Sequence, residues 1–158
     1  SIDNCYHVFY HPSGTDLDGT AAIDGFTVTG GYADLPGTAH QYGGGFYNDG
    51  GSYTVSGCII DSNYSYYHGG GFYLKNSASV TISGSTISNN SQPVSQNGYG
   101  GGILCDGSSA VISDSTISNN ASGGLGGGIC AYNSATIDVS GCTVNGNIAA
   151  DSSAGGIL

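Results

Sequence analysis

The stretch Gly100-Gly101-Gly102-Ile103-Leu104-Cys105-Asp106-Gly107-Ser108-Ser109-Ala110-Val111-Ile112-Ser113-Asp114-Ser115-Thr116-Ile117-Ser118-Asn119-Asn120 decides the fold. Ala110 and Ile112 alternate with Ser109, Val111 and Ser113, and a period of two is the mark of a strand with one face turned inward. Gly and Asn punctuate the alternation where the chain must turn. The 3.6-residue period of a helix long enough to cross a sheet is nowhere present, so these strands cannot be joined as βαβ units.

Working outward, the same pattern recurs along the chain. Glycine triplets followed by an apolar residue stand at Gly43-Gly44-Gly45-Phe46, Gly69-Gly70-Gly71-Phe72, Gly100-Gly101-Gly102-Ile103 and Gly126-Gly127-Gly128-Ile129, with a degenerate copy at Ala154-Gly155-Gly156-Ile157. Each full triplet is followed by a second landmark: Ile60-Asp61-Ser62-Asn63, Ile87-Ser88-Asn89-Asn90, Ile117-Ser118-Asn119-Asn120 and Val144-Asn145-Gly146-Asn147. From first Gly to the central apolar residue of the strand between the landmarks (Val55, Ile82, Ile112, Val139) the distance is 12, 13, 12 and 13 residues. Between the Asn and the next triplet lie 5, 9, 5 and 6 residues, so one corner absorbs nearly all the variation in length.

Short strands and tight corners in fixed register build a parallel β-solenoid, right-handed by the crossover rule. Three inward columns are expected: Phe46, Phe72, Ile103, Ile129 and Ile157; Val55, Ile82, Ile112 and Val139; and Val28, Ile60, Ile87, Ile117 and Val144. Residues 1–31 carry the pattern less regularly. Ile23 to Gly31 reads as one coil and Tyr6-His7-Val8-Phe9 as a strand of the coil before it, while 43–158 is the regular array. The expectation is a single all-β domain of about six coils without helices of note. Neither end carries a capping helix, so the chain reads as a stretch of a longer solenoid or a subunit covered by its neighbours.

Composition narrows the partners. The 158 residues include 30 Gly, 11 acidic groups and a single cation, Lys75, for a formal charge of −10. Nucleic acid and anionic membrane surfaces are excluded as partners, since both require clustered Lys and Arg. No apolar run approaches the roughly 20 residues that cross a bilayer, and Ser1-Ile2-Asp3-Asn4 does not read as a signal peptide.

Several residue sets invite a chemical reading. Asp16, Asp18 and Asp24 around a Gly turn are the calcium candidates, although an Asp-Gly turn explains them equally; no other metal and no cofactor is expected. Asn63, Asn89 and Asn120 open glycosylation acceptor triplets at one corner of successive coils, where Asn also suits the turn itself. Tyr42, Tyr64, Tyr66, Tyr67 and Tyr99 crowd that corner and are candidates to stack on sugar rings. His40 and His68 precede successive triplets. The five cysteines read as free buried thiols: Cys58 and Cys142 are three rungs apart, and Cys105 and Cys130 are offset by one residue onto opposite faces.

Catalysis is not expected. A lyase acting on an acidic polymer needs cations the chain lacks, and Asp61, Asp106, Asp114 and Asp138 fall in different columns, so the repeat gathers no carboxylate pair from them. Thr27-Val28-Thr29, Thr86-Ile87-Ser88 and Thr116-Ile117-Ser118 form hydroxyl rows of the kind an ice-binding surface uses, interrupted by Ile59, Asp61 and Asn145.

The repeat resembles that of the chlamydial polymorphic membrane proteins and of bacterial surface proteins with right-handed parallel β-helices. Gly101-Gly102-Ile103 and Gly127-Gly128-Ile129 resemble the family's Gly-Gly-Ala-Ile motif, and Ile60, Ile87, Ile117 and Val144, each three residues before an Asn, stand where its Phe-x-x-Asn has Phe. That resemblance implies export to the cell surface and duty as an adhesin passenger. The expectation is therefore a non-enzymatic extracellular rod that joins like chains or further coils end to end and contacts glycans. The alternatives are a carbohydrate-binding or polysaccharide-degrading β-helix and an ice-binding solenoid.

Overall fold

The computed structural model describes residues 5–15, 17–151 and 154–158. Single residues in the left-handed region turn the corners: in the coil that opens this repeat they are Gly100 (φ 65°), Gly107 (φ 59°), Asp114 (φ 49°) and Asn119 (φ 55°). Gly100 is the most constrained, because a Cβ there would strike the Ile103 carbonyl. Asp and Asn are the side chains that tolerate this geometry best, which is why they alternate with Gly at the other corners.

Between corners the chain runs straight. The first coil holds β1 (Phe9–His11), β2 (Asp18–Asp24), β3 (Thr27–Thr29) and β4 (Tyr32–Ala33). The second holds β5 (Phe46–Asp49), β6 (Ser52–Ser56), β7 (Ile59–Asp61) and β8 (Tyr64–Ser65), and the third β9 (Phe72–Lys75), β10 (Ser79–Ser83) and β11 (Thr86–Ser88). The fourth holds β12 (Ile103–Asp106), β13 (Ser109–Ser113), β14 (Thr116–Ser118) and β15 (Ala121–Ser122). The fifth has β16 (Ile129–Tyr132), β17 (Thr136–Ser140), β18 (Thr143–Asn145) and β19 (Ile148–Ala149). Equivalent strands pair in parallel into three long sheets, β1-β5-β9-β12-β16, β2-β6-β10-β13-β17 and β3-β7-β11-β14-β18.

Each long sheet has five strands, about four full turns, rather than the six coils expected. The two N-terminal segments that read as separate coils are successive sides of one: β1 pairs with β5, and β2 and β3 pair with β6 and β7 of that same second coil.

The three inward columns are as the sequence places them. Phe46 pairs with Phe72, Ile103 with Phe72 and Ile129, and Ile129 bridges Ile157. Val55, Ile82, Ile112 and Val139 follow one another, as do Val28, Ile60, Ile87, Ile117 and Val144. Like stacks on like: the Phe9, Phe46 and Phe72 rings lie nearly parallel at centroid spacings of 4.7 and 4.4 Å. The fourth side is a column of amides. Asn63 Nδ2 donates to Asn90 Oδ1 (3.0 Å), Asn90 Nδ2 to Asn120 Oδ1 (3.0 Å) and Asn120 Nδ2 to Asn147 Oδ1 (2.9 Å). Each also bonds a backbone carbonyl of the preceding coil, Val28, Ile60 and Ile87 respectively.

Candidate functional site

Strand alternation sends Tyr10, Tyr47, Tyr73, Leu104 and Cys130 to the outside of the first sheet, yet Tyr47, Tyr73, Leu104 and Cys130 are buried there. What covers them is the corner of variable length. Its loops fold back over the sheet, and Ala39, Tyr42, Tyr99 and Leu125 pack on the row as a second apolar cluster outside the coil. The rings run on in contact: Tyr42 stacks on His68 (5.6 Å) and Tyr73 (4.9 Å), Tyr67 lies on His68 (4.1 Å), and Tyr99 neighbours His68 (5.0 Å) and Tyr132 (5.3 Å). His68 accepts from the Tyr99 amide at Nδ1 (3.0 Å), and burial pushes its pKa down to about 4, so it is neutral in this belt.

Beside the belt runs a polar row. Asp49, Lys75, Asp106 and Tyr132 occupy one column of successive strands. Lys75 Nζ lies 3.1 Å from Asp49 Oδ2, and Asn76 donates to Asp49 Oδ1 (2.6 Å). Asp106 accepts from the Tyr73 hydroxyl (3.3 Å) and from Asn133 (2.7 Å). Burial works against the Lys75 charge, but the Asp49 carboxylate and the Tyr47 hydroxyl outweigh it and hold the ammonium above its ordinary range. Burial first, and then the Asp106 charge, pushes the Tyr73 phenol well above its usual value, so it remains a donor. A cleft of about 450 Å³ opens on this row, lined by Tyr73, Lys75, Asn76, Ser77, Asp106, Gly107 and Asn133. Hydroxyl, ammonium, amide and carboxylate beside an aromatic belt suit a polyhydroxylated ligand.

The sequence reading missed this row because it compared the aspartates with one another and left Asp49 out. The signal was present: Asp49, Lys75 and Asp106 each stand three residues after the apolar residue that follows a glycine triplet.

The other candidate residues are partly dispersed. Tyr42, Tyr67 and Tyr99 join the belt, whereas Tyr64 stacks on Tyr32 (4.5 Å) at a separate patch and Tyr66 is half-buried beyond it. Asn63 and Asn120 are enclosed, with their Nδ2 atoms committed to the amide column, so as glycosylation sites they are corrected: the folded chain presents neither nitrogen. Asn89 is exposed, at φ 54°, and donates to Asp61 Oδ1 (2.7 Å). Of the calcium candidates, Asp16 lies outside the described residues. Asp18 caps its own turn through Thr20, and Asp24 accepts from Ser56. They pair opposite the two ends of β6, on the order of 13 Å apart, too far for both carboxylates to hold one ion.

His40 does not meet His68; it meets His7, Nδ1 to Nε2 at 3.0 Å. The cysteines are free thiols. Cys105 faces the core and Cys130 the outer belt, and burial raises their pKa values to about 12 and about 11. In the third sheet Asp61 interrupts the hydroxyl rows and accepts from Ser88 (2.7 Å) and Ser62 (2.7 Å), while Ile59 stands exposed beside it.

Comparison with known proteins bears on the coil itself. Residues 2–157 match the family described as right handed beta helix region. No curated protein and no solved structure matches the chain. The match carries the right-handed coil and not the narrower chlamydial repeat. With the match spanning nearly its whole length and its strands stacked as parallel coils, this chain belongs to the right-handed β-helix family.

Proposed function

We propose that the chain is a non-enzymatic extracellular rod, a passenger stretch of a surface adhesin or a subunit of an extracellular filament. The observation that supports it is the unbroken column of amides and apolar residues, in which each rung offers the next the same acceptors and the same apolar ring. Such an interior is a template for more rungs, and terminal strands are natural acceptors of further strands. The partner is a further set of like coils. The adhesive element is the tyrosine belt and polar cleft of the first sheet, directed at neutral glycans.

One observation favours a second reading, a polysaccharide-degrading β-helix. Asp49 and Asp106 share a column two strands apart, about 9–10 Å between Cα atoms, close to the separation of roughly 6.5–9.5 Å between the carboxylates of an inverting hydrolase. One experiment separates the two: electron microscopy and sedimentation of the purified chain, with retention on neutral polysaccharides and assay of released reducing ends. The rod predicts end-to-end particles, fewer of them in Val139→Lys, and retention without cleavage. Monodisperse particles that release reducing ends, with release lost in Asp49→Asn and Asp106→Asn, would replace the rod with the enzyme.

A further inference from the structure

The outer face of the first sheet carries a row of rings that runs from the first coil to the fifth. Tyr10 lies 5.1 Å from Tyr47, and Tyr47 5.7 Å from Tyr73, centroid to centroid. Tyr73 is 6.1 Å from His68, His68 5.0 Å from Tyr99, and Tyr99 5.3 Å from Tyr132. Four strand spacings, roughly 19 Å along the axis, separate the coil of Tyr10 from that of Tyr132. Both end rings are exposed, whereas Tyr47 and Tyr73 between them are buried.

Packing alone would account for rings in contact; what sets this row apart is where its phenolic protons point. The Tyr73 hydroxyl donates to Asp106 Oδ2 (3.3 Å) and the Tyr47 hydroxyl to Asp49 Oδ2 (3.5 Å). A phenol that loses an electron becomes a strong acid, and a buried one needs a base within hydrogen-bond reach to take its proton. A carboxylate is such a base, and each is fixed from its other oxygen by an asparagine, Asn133 on Asp106 and Asn76 on Asp49.

We propose that this row is a relay for one-electron oxidation, carrying an oxidising equivalent received at one end of the first sheet to the exposed ring at the other. A one-electron oxidant, a high-potential metal complex or a peroxide-derived radical, removes an electron at Tyr10. Tyr47 and then Tyr73 refill the vacancy: Tyr73 gives up an electron while its hydroxyl proton passes to Asp106. When the next ring supplies an electron in turn, that proton returns to the phenoxyl oxygen. Neutral His68 bridges Tyr73 and Tyr99 without itself being oxidised. At Tyr132 the proton leaves to water, so in sum one electron reaches the oxidant, one proton reaches solvent and the radical rests on an exposed ring. The relay requires neither end-to-end assembly nor a glycan, so it stands or falls apart from the rod.

The test attaches a ruthenium polypyridyl photo-oxidant to Cys5, the exposed thiol one residue before Tyr6, in a Cys142→Ser background in which the remaining thiols are buried. Sedimentation checks that single chains are present. After flash and oxidative quench, a nitroso spin trap and peptide mapping locate the tyrosyl radical. The expected result is an adduct on Tyr132, at the far coil. Tyr73→Phe keeps the ring and its packing without the phenol and should lower that adduct at least fivefold. Asp106→Asn, outside the coil interior, should slow its appearance at least fivefold, and circular dichroism checks that both variants stay folded. Tyr64→Phe should leave the yield unchanged, although its stacking partner Tyr32 also lies against Cys5. Adducts confined to Tyr6 and Tyr10, an equal Tyr132 yield in Tyr73→Phe, or a yield that grows with protein concentration would each overturn the proposal.

Discussion

At Asn90 a single residue holds three coils together. It accepts from Asn63 through both the backbone amide and Nδ2, donates to Asn120 Oδ1 and to the Ile60 carbonyl, and is fully buried. Replacing it with Ala leaves the enclosed Asn63 backbone N–H without its acceptor and takes a donor from the Ile60 carbonyl, at a cost of roughly 1–3 kcal/mol for each such group, while Asn120 Oδ1 keeps the backbone N–H of residue 90. Asn90→Ala should therefore lose roughly 2–4 kcal/mol in urea unfolding, while Asn119→Gly, at an outward left-handed corner, should lose almost nothing. His68 gives a second residue-level prediction, with a definite sign. Its folded pKa is about 4 against 6.5 for the free side chain, so above pH 6.5 both states are neutral and it adds no pH dependence. As pH falls from 6.5 toward 4 the unfolded chain binds a proton that the folded chain refuses, and stability drops by up to ~3 kcal/mol. His68→Gln keeps an acceptor for the Tyr99 amide and should flatten that part of the curve, measured by denaturant titration at successive pH values.

At the scale of the coil, two glycines that look alike in the sequence do different jobs. A Cβ on Gly101 would sit 2.5 Å from the Ala121 carbonyl carbon and from the Gly127 oxygen, backbone that cannot yield without separating two coils. Gly84 has φ +54° with open space around it, and the next coil places Asp114 at the same corner with φ 49°. Gly101→Ala should thus lower the melting temperature sharply, whereas Gly84→Asn should change stability by less than about 1 kcal/mol; scanning calorimetry compares the two. A left-handed dihedral angle is one reason for a glycine triplet to resist larger residues. That holds for Gly100, while at Gly101 the cause is the closeness of adjacent rungs, which no single coil's sequence reveals. The inward columns were legible because every coil repeats the same apolar type at the same offset. The coil number was not, because β1 and β2 of the first coil are set apart by a longer irregular stretch that mimics a whole turn. The polar row was legible in its spacing and obscured by its chemistry, since Asp49, Lys75 and Asp106 share a position without sharing a type. The His7–His40 pair was beyond reach, since it depends on how the loop around the Ala39–Gln41 turn folds back across the sheet.

For the whole molecule, each rung is hydrogen-bonded and packed by the rungs beside it, so the expected outcome is a stability that does not depend on calcium. Treatment with EGTA should leave the melting transition unchanged, and a fall of several degrees would show that a bound divalent ion stabilises the fold. The geometry of stacking also decides what the molecule is good for as a shape. Successive triplets begin 26 or 31 residues apart, yet each coil advances the axis by only about 4.8 Å. A helix would cover that distance with about three residues, at 1.5 Å each. Projection to a distance is thus the poorest use of this chain, and a hundred ångströms of height would consume on the order of twenty coils. What the winding yields instead is girth: broad, flat flanks whose side chains repeat at strand spacing and whose loops are free to vary in length. A β-helix is a means of making width, and its sides, more than its tip, are where a long polymer lying along the axis would meet it.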